Sequence, residues 1–257
     1  MASICENEVI LSGFQVILEY FFAVVQFLHF VHVIFNKNKV MLKYNIQNYG
    51  NVNYMVHKDA MGGFQHFVKR LFDIVFSLLG LVIFSPLILA FSIILLFSDG
   101  PVIFRQERIG YQGRPFTIYK FRTMRVDAES HGCIPRLEGE RNMYLTPFGR
   151  FLRAHHLDEL PQLWNVLRGD MSFVGPRPER QYFIDQINRE TDDYRYIYLM
   201  RPGVTSYATI YNGYTDTMDK MLKRLEYDIE YLDNRNIFTD LSIIFRTVFS
   251  VFSGKKF

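Results

Sequence analysis

Two long apolar runs dominate the first hundred residues, and shorter alternating stretches fill the rest. Residues 8–35, EVILSGFQVILEYFFAVVQFLHFVHVIF, are long enough to span a bilayer, which takes about 20 residues. Ser12, Gln15, Glu19, Gln26 and His29 recur at helical spacing and fall roughly on one stripe. The run therefore reads either as a membrane helix with a protein-facing stripe or as an amphipathic helix lying in the interface. It lacks the basic start and small-residue cleavage site of a signal peptide. Residues 36–60 are polar, rich in Asn and Lys, and read as a linker, with Met55 and Met61 as alternative starts.

The second run, residues 71–98, contains Ser85-Pro86 near its midpoint. Proline removes a helix hydrogen bond and clashes with the preceding turn, so a kink or break is expected there, with the Ser85 hydroxyl placed to help the freed carbonyl. Two readings follow: a spanning helix with a proline kink, or a re-entrant hairpin that enters and leaves by one face. Lys69 and Arg70 precede the run, and Arg105, Arg108, Arg114, Lys120, Arg122 and Arg125 follow it. Basic residues on both flanks favour the hairpin. Asp73 lies within helical reach of Lys69 and Arg70 and is expected to pair with them.

From about residue 100 the pattern becomes that of a helix-rich α/β (α+β) domain. PVIFRQERIG and RPFTIYKFRTM alternate apolar and polar residues around Tyr111-Gln112-Gly113 and predict paired strands. Residues 127–145 read as a loop, 147–156 and 160–168 as helices, and 179–199 as one charged helix. Residues 201–215 hold a Pro-Gly turn and β-branched residues, and 217–235 read as a helix. Residues 237–253 predict an interfacial amphipathic helix or the last core helix. The expected organisation is an N-terminal segment and linker over 1–60, a re-entrant membrane helix over 61–100, and a catalytic domain over 101–257.

Composition narrows the function. A net charge of +3 over 257 residues is too diffuse to argue for nucleic acid. The two cysteines, Cys5 and Cys133, make no disulfide framework and no zinc motif. The notable chemistry is Asp158-Glu159, with Arg150 and Arg153 before it and Arg168 and Arg177 after it. Taken alone, the two acids read first as a helix cap. The surrounding cations add a second reading, an anion site suited to phosphate. Lys120 and Arg122 read either as phosphate ligands or as solvated strand charges.

KRLFDIVFSLLGLVIFSPLIL, PVIFRQERIGYQGRPFTIYKFRTM, LTPFGRFLRAHHLDELPQLWNVLRGDMSFVGPRPE and RPGVTSYATIYNG, in that order, closely resemble the bacterial sugar transferases, the small monotopic polyprenol-phosphate phosphoglycosyl transferases. The resemblance runs from about Lys69 to the C-terminus. It implies that a phosphosugar passes from a nucleotide diphosphate sugar, a UDP-sugar, to a polyprenol phosphate, undecaprenyl phosphate, with release of a nucleoside monophosphate. It implies a helix broken at Ser85 and Pro86, a catalytic pair at Asp158 and Glu159, and Mg2+. It also implies a place on the cytoplasmic face of the bacterial inner membrane. In that chemistry Asp158 is the carboxylate nucleophile, Glu159 the Mg2+ ligand, and Arg153, Arg177, Lys120 and Arg122 the phosphate-binding cations. His155, His156, Ser206 and Tyr207 depart from the family's pattern.

Overall fold

The computed structural model describes residues 56–98, 100–129, 144–212 and 217–252. The run at 8–35, most of the linker and most of the loop expected over 127–145 lie outside them. The described residues all fall in one compact unit, Met55–Phe257.

The second apolar run breaks where the proline requires it. Helix α1, Gly63–Ile83, meets α2, Ser85–Leu96, at a bend of 59°. Pro86 has no N–H to donate to the carbonyl of Val82, one turn back. The Ser85 hydroxyl donates to that oxygen instead, at 2.7 Å. Among the described residues no single helix is long and apolar enough to cross a membrane, whereas the bent pair passes that test together.

Both halves of the bent pair are held by the domain that follows. From α1, Arg70 donates to the carbonyls of Val166 and Leu167 at 2.7 and 2.8 Å, and Lys69 donates to the Val174 carbonyl at 2.9 Å and pairs with Asp240. Asp73, buried, accepts from the Ser172 hydroxyl and the Phe173 N–H, each at 3.0 Å. It forms no contact ion pair with Lys69 or Arg70, because all three side chains are spent on tertiary partners. From α2, Phe91 and Leu95 are buried against Phe121 and Leu152. Much of the outer surface of the pair remains apolar and exposed, including Phe64, Phe67, Val82, Ile83 and Leu89.

Strands β1, Ile103–Ile109, and β2, Pro115–Phe121, form an antiparallel hairpin in register from Ile103↔Phe121 to Ile109↔Pro115. Its turn is Tyr111–Gly113, where Gln112 and Gly113 adopt positive φ of 58° and 69°. Helix α3, Pro147–Ala154, is capped by Thr146, whose hydroxyl accepts from the Gly149 N–H. Helix α4, Gln162–Arg168, ends at Gly169 with φ 92°, a left-handed stop that glycine supplies without strain.

Strands β3, Ser172–Val174, and β4, Gly203–Thr205, pair in parallel. A Cβ on Gly175 would lie 2.1 Å from the Arg201 carbonyl, and one on Gly203 would lie 2.2 Å from the Gly175 nitrogen. These two glycines let the chain segments touch. The single helix expected over 179–199 is two elements. Helix α5, Gln181–Glu190, stops at extended Thr191, whose hydroxyl accepts from Asp193 N–H and starts a 3₁₀ stretch, Asp192–Leu199. Within 201–212, the residues following Pro202 form the short strand β4. Ser206 then accepts from the Thr209 N–H and opens helix α6, Tyr207–Asn212.

Helix α7, Met218–Asn234, packs with α5 and the 3₁₀ stretch around Ile184, Ile187, Ile197, Leu225 and Leu232. Residues 56–61 are docked on its C-terminal end: Ala60 N–H donates to Leu232 O at 3.1 Å, and Asp59 pairs with buried Arg235. Helix α8, Ile237–Phe252, fits the reading as a last core helix on one side only. Ile243 enters the core, while Phe238, Phe245 and Phe249 are each more than 70% exposed on the other side.

Candidate active site

The acidic pair lies on a 3₁₀ turn, Leu157–Glu159, between α3 and α4. His156 turns the chain there with a left-handed backbone, φ 54° and ψ 21°. The capping reading fails on geometry: α4 begins three residues later, its N-cap is Pro161, and no side chain caps it. Leu157 and Leu160 bracket the pair and pack with Phe91, Leu95, Phe121 and Leu152. The two carboxylates therefore rest on an apolar floor made jointly by α2, β2 and α3.

That floor gives the two acids opposite characters. Asp158 is 6% exposed, and among the described residues no hydrogen bond reaches its carboxylate. Burial, and then the adjacent Glu159 charge, push its pKa up; Lys120, Arg153 and His156 offset this only in part. Burial acts on Glu159 as well. There the charges of Lys120 and Arg177 and a 2.5 Å hydrogen bond from Lys120 win, and the carboxyl is held down to about 2.

The structure brings together most of the expected cations. Lys120 ends β2 and binds Glu159 directly. Its placement depends on Asn165, which is wholly buried and ties α4 to β2: its Oδ1 accepts from Tyr119 N–H at 3.1 Å, and its Nδ2 donates to Thr117 O at 2.7 Å. Arg153, in the last turn of α3, acts on Asp158, and Arg177 acts on Glu159. Arg177 is exposed between buried Pro176 and Pro178. Arg122 is committed elsewhere: it donates to Pro101 O at 2.9 Å and lies over the Phe104 ring. Arg168 is at the far end of α4 beside Asp170. Ser85 and Pro86 mark the helix break. His155 donates from Nδ1 to Phe151 O at 2.9 Å and packs on the Phe151 ring, a local role.

Sequence reasoning did not find Asn165 or the charges behind Arg177, namely buried Glu179 and Arg224 and part-buried Arg108. An Asn inside the apolar string LWNVL was the one available signal for the first. A buried acid held by two arginines from distant elements leaves no local pattern.

An acid pair ringed by Lys120, Arg153 and Arg177 is suited to a phosphate. Among the described residues no group of three or more His, Cys, Asp or Glu is placed to hold a metal. Glu159, ionised and close to where a phosphate would sit, still fits Mg2+, which takes one or two carboxylates and completes its shell with water and substrate phosphate.

Known proteins bear on this arrangement. A protein of Aeromonas hydrophila, UDP-N-acetylgalactosamine-undecaprenyl-phosphate N-acetylgalactosaminephosphotransferase, is 40% identical over 189 residues, 73% of this chain and 44% of the relative. UDP-glucose:undecaprenyl-phosphate glucose-1-phosphate transferase of Escherichia coli is 39% identical over 203 residues, 78% of this chain and 43% of the relative. The protein of that same name from Caulobacter vibrioides is 41% identical over 183 residues, 70% of this chain and 68% of the relative. This chain thus spans less than half the length of the first two. The model of the family described as bacterial sugar transferase matches residues 64–254, which take in the bent helix pair, the acidic turn and Arg177. The chain belongs to the bacterial sugar transferase family.

Proposed function

We propose that this chain transfers a sugar 1-phosphate from a nucleoside diphosphate sugar to a polyprenol phosphate and releases the nucleoside monophosphate. The relatives' names point to a UDP-sugar and undecaprenyl phosphate as the two substrates. The observation that carries the reading is the split within the acidic pair, Asp158 raised and without a hydrogen bond among the described residues, Glu159 depressed and bound to Lys120. Neighbouring carboxyls with opposite pKa shifts take different jobs.

In the first half-reaction an Asp158 oxygen attacks the sugar-bearing phosphorus. The new O–P bond forms as the bond to the bridging oxygen breaks, and the nucleoside monophosphate leaves with that electron pair. A phosphate oxygen of the polyprenol phosphate then attacks the same phosphorus and releases the Asp158 carboxylate. Burial makes that carboxylate more basic, and so a stronger nucleophile once ionised. Lys120, Arg153 and Arg177 hold the phosphates against the charge of the acids. Glu159 would hold Mg2+, which supplies charge neutralisation on the pyrophosphate.

The same reading places residues 61–100 in one leaflet of the bacterial inner membrane and the domain over 101–257 on its cytoplasmic face. Support comes from the grip of one domain on both α1, at Lys69 to Asp73, and α2, at Phe91 and Leu95. A straight crossing would carry α2 away from that domain. The exposed Phe238, Phe245 and Phe249 of α8 suit the headgroup region.

The test is a nucleotide-release assay with undecaprenyl phosphate in detergent across a panel of sugar nucleotides. Nucleoside monophosphate is the expected product. Asp158→Asn should lower turnover on the order of 10³-fold or more. Release of nucleoside diphosphate would instead mean transfer of the sugar without its phosphate.

A further inference from the structure

Arg177 makes no hydrogen bond among the described residues, yet its charge acts on Glu159. Its aim must be set by the backbone that carries it. That backbone is gripped on both sides of the residue. Before it, Gly203 N–H donates to Pro176 O at 2.9 Å. After it, Arg108 Nη1 donates to Pro178 O at 3.0 Å, and Ile109 N–H donates to Glu179 O at 3.0 Å. The Glu179 side chain, two residues beyond Arg177, is buried and bound by Arg224 of α7, with Arg108 Nη1 3.7 Å from its other oxygen. Asp228 lies one helical turn along from Arg224 and is fully enclosed. Arg177, Arg224 and Asp228 line one void of about 10 Å³.

The cluster is not explained by stability alone. A buried ion pair seldom stabilises a fold more than apolar packing of the same volume. This one also leaves Arg108 Nε and Asp228 Oδ1 without a hydrogen-bond partner. We propose that Glu179 and Arg224, braced by Arg108 and Asp228, are positioning residues that aim Arg177 at the phosphoryl group held beside Glu159. This rests on the function proposed above for the acidic pair. The charges agree with it. Asp228, raised by burial to about 7, carries only part of its charge near neutrality, so Arg108 and Arg224 outweigh the carboxylates behind Arg177. Arg108, pushed down by burial to about 10, feels Arg177 as a like charge. The excess directs the Arg177 guanidinium outward, away from the cluster.

The test combines kinetics with amide hydrogen exchange on the full chain. Glu179→Gln should lower kcat about tenfold with less than about twofold change in the donor KM. In an Arg177→Lys background the same change should add less than about twofold, because a residue that acts through Arg177 has nothing left to aim. Exchange should rise in residues 175–180 and at Ile109, whose N–H donates to Glu179 O, and stay unchanged in residues 103–107 and 185–190. Arg224→Lys, which keeps the charge and loses the two-pronged geometry, should give the same pattern if Glu179→Gln fails to fold. Equal kinetic costs in both backgrounds, or unchanged exchange at 175–180, would overturn the proposal. A wild-type chain that releases no nucleotide, with exchange altered as expected, would refute the function while leaving the positioning of the Arg177 turn in place.

Discussion

Two adjacent carboxyls share one 3₁₀ turn and burial pushes both up, and they differ because Lys120 hydrogen-bonds only one of them. Lys120 is the residue that makes the difference for Glu159. A carboxyl held low stabilises the fold at every pH above its ordinary range, and that contribution is lost as the pH falls towards about 2. Lys120→Met should remove much of it, so the acid unfolding transition should move to higher pH, as followed by circular dichroism from pH 5 downward. An unmoved transition would mean that Arg177 alone suffices. The pair itself was legible in the sequence, since LDE between arginines is unusual company for a cap. Its geometry was not. The αL backbone at His156 and the late start of α4 at Gln162 are what remove Asp158 from the helix end. Asp73 shows the same limit: the sequence offers Lys69 four residues away, and the fold gives it Ser172 and Phe173 instead.

Among the elements, the hairpin of β1 and β2 and the break at Ser85-Pro86 follow directly from local pattern, because alternation and proline act over a few residues. Helix α5 and its 3₁₀ successor were merged in the sequence reading because a hydroxyl cap inside a charged stretch looks like one more polar position. Helix α7 carries the second titrating acid. Burial raises Asp228 to about 7, and the charge of Glu179 adds to this against that of Arg224. A raised carboxyl binds its proton more tightly folded than unfolded. Stability therefore declines as the pH rises from about 4 through about 7, then levels off. Asp228→Asn should flatten that decline, so its melting temperature should change less than that of the wild type between pH 5 and pH 8. Parallel melting curves would show that Asp228 is ionised throughout.

For the whole molecule, the bent pair joins an exposed apolar surface to the acidic turn, since α2 both follows the break at Ser85-Pro86 and packs with Leu157 and Leu160. This was half legible. Basic residues on both flanks implied a return to one face, but only the fold shows the side chains of α1 and α2 bound to one domain. Single cysteines at Gly62, Ile83 and Ser98, in a chain with Cys5 and Cys133 replaced by serine, read the topology with an impermeant thiol reagent. The account expects Gly62→Cys and Ser98→Cys to react from the same side of sealed vesicles, with Ile83→Cys protected. Reaction from opposite sides would establish a straight span.

The central claim is that Asp158 carries the phosphosugar between the two substrates. Purified protein incubated with a sugar nucleotide labelled in its sugar, with no polyprenol phosphate present, should retain label on the peptide containing Asp158 and lose it when the lipid is added. A chain that turns over both substrates yet never holds label at Asp158 would contradict it.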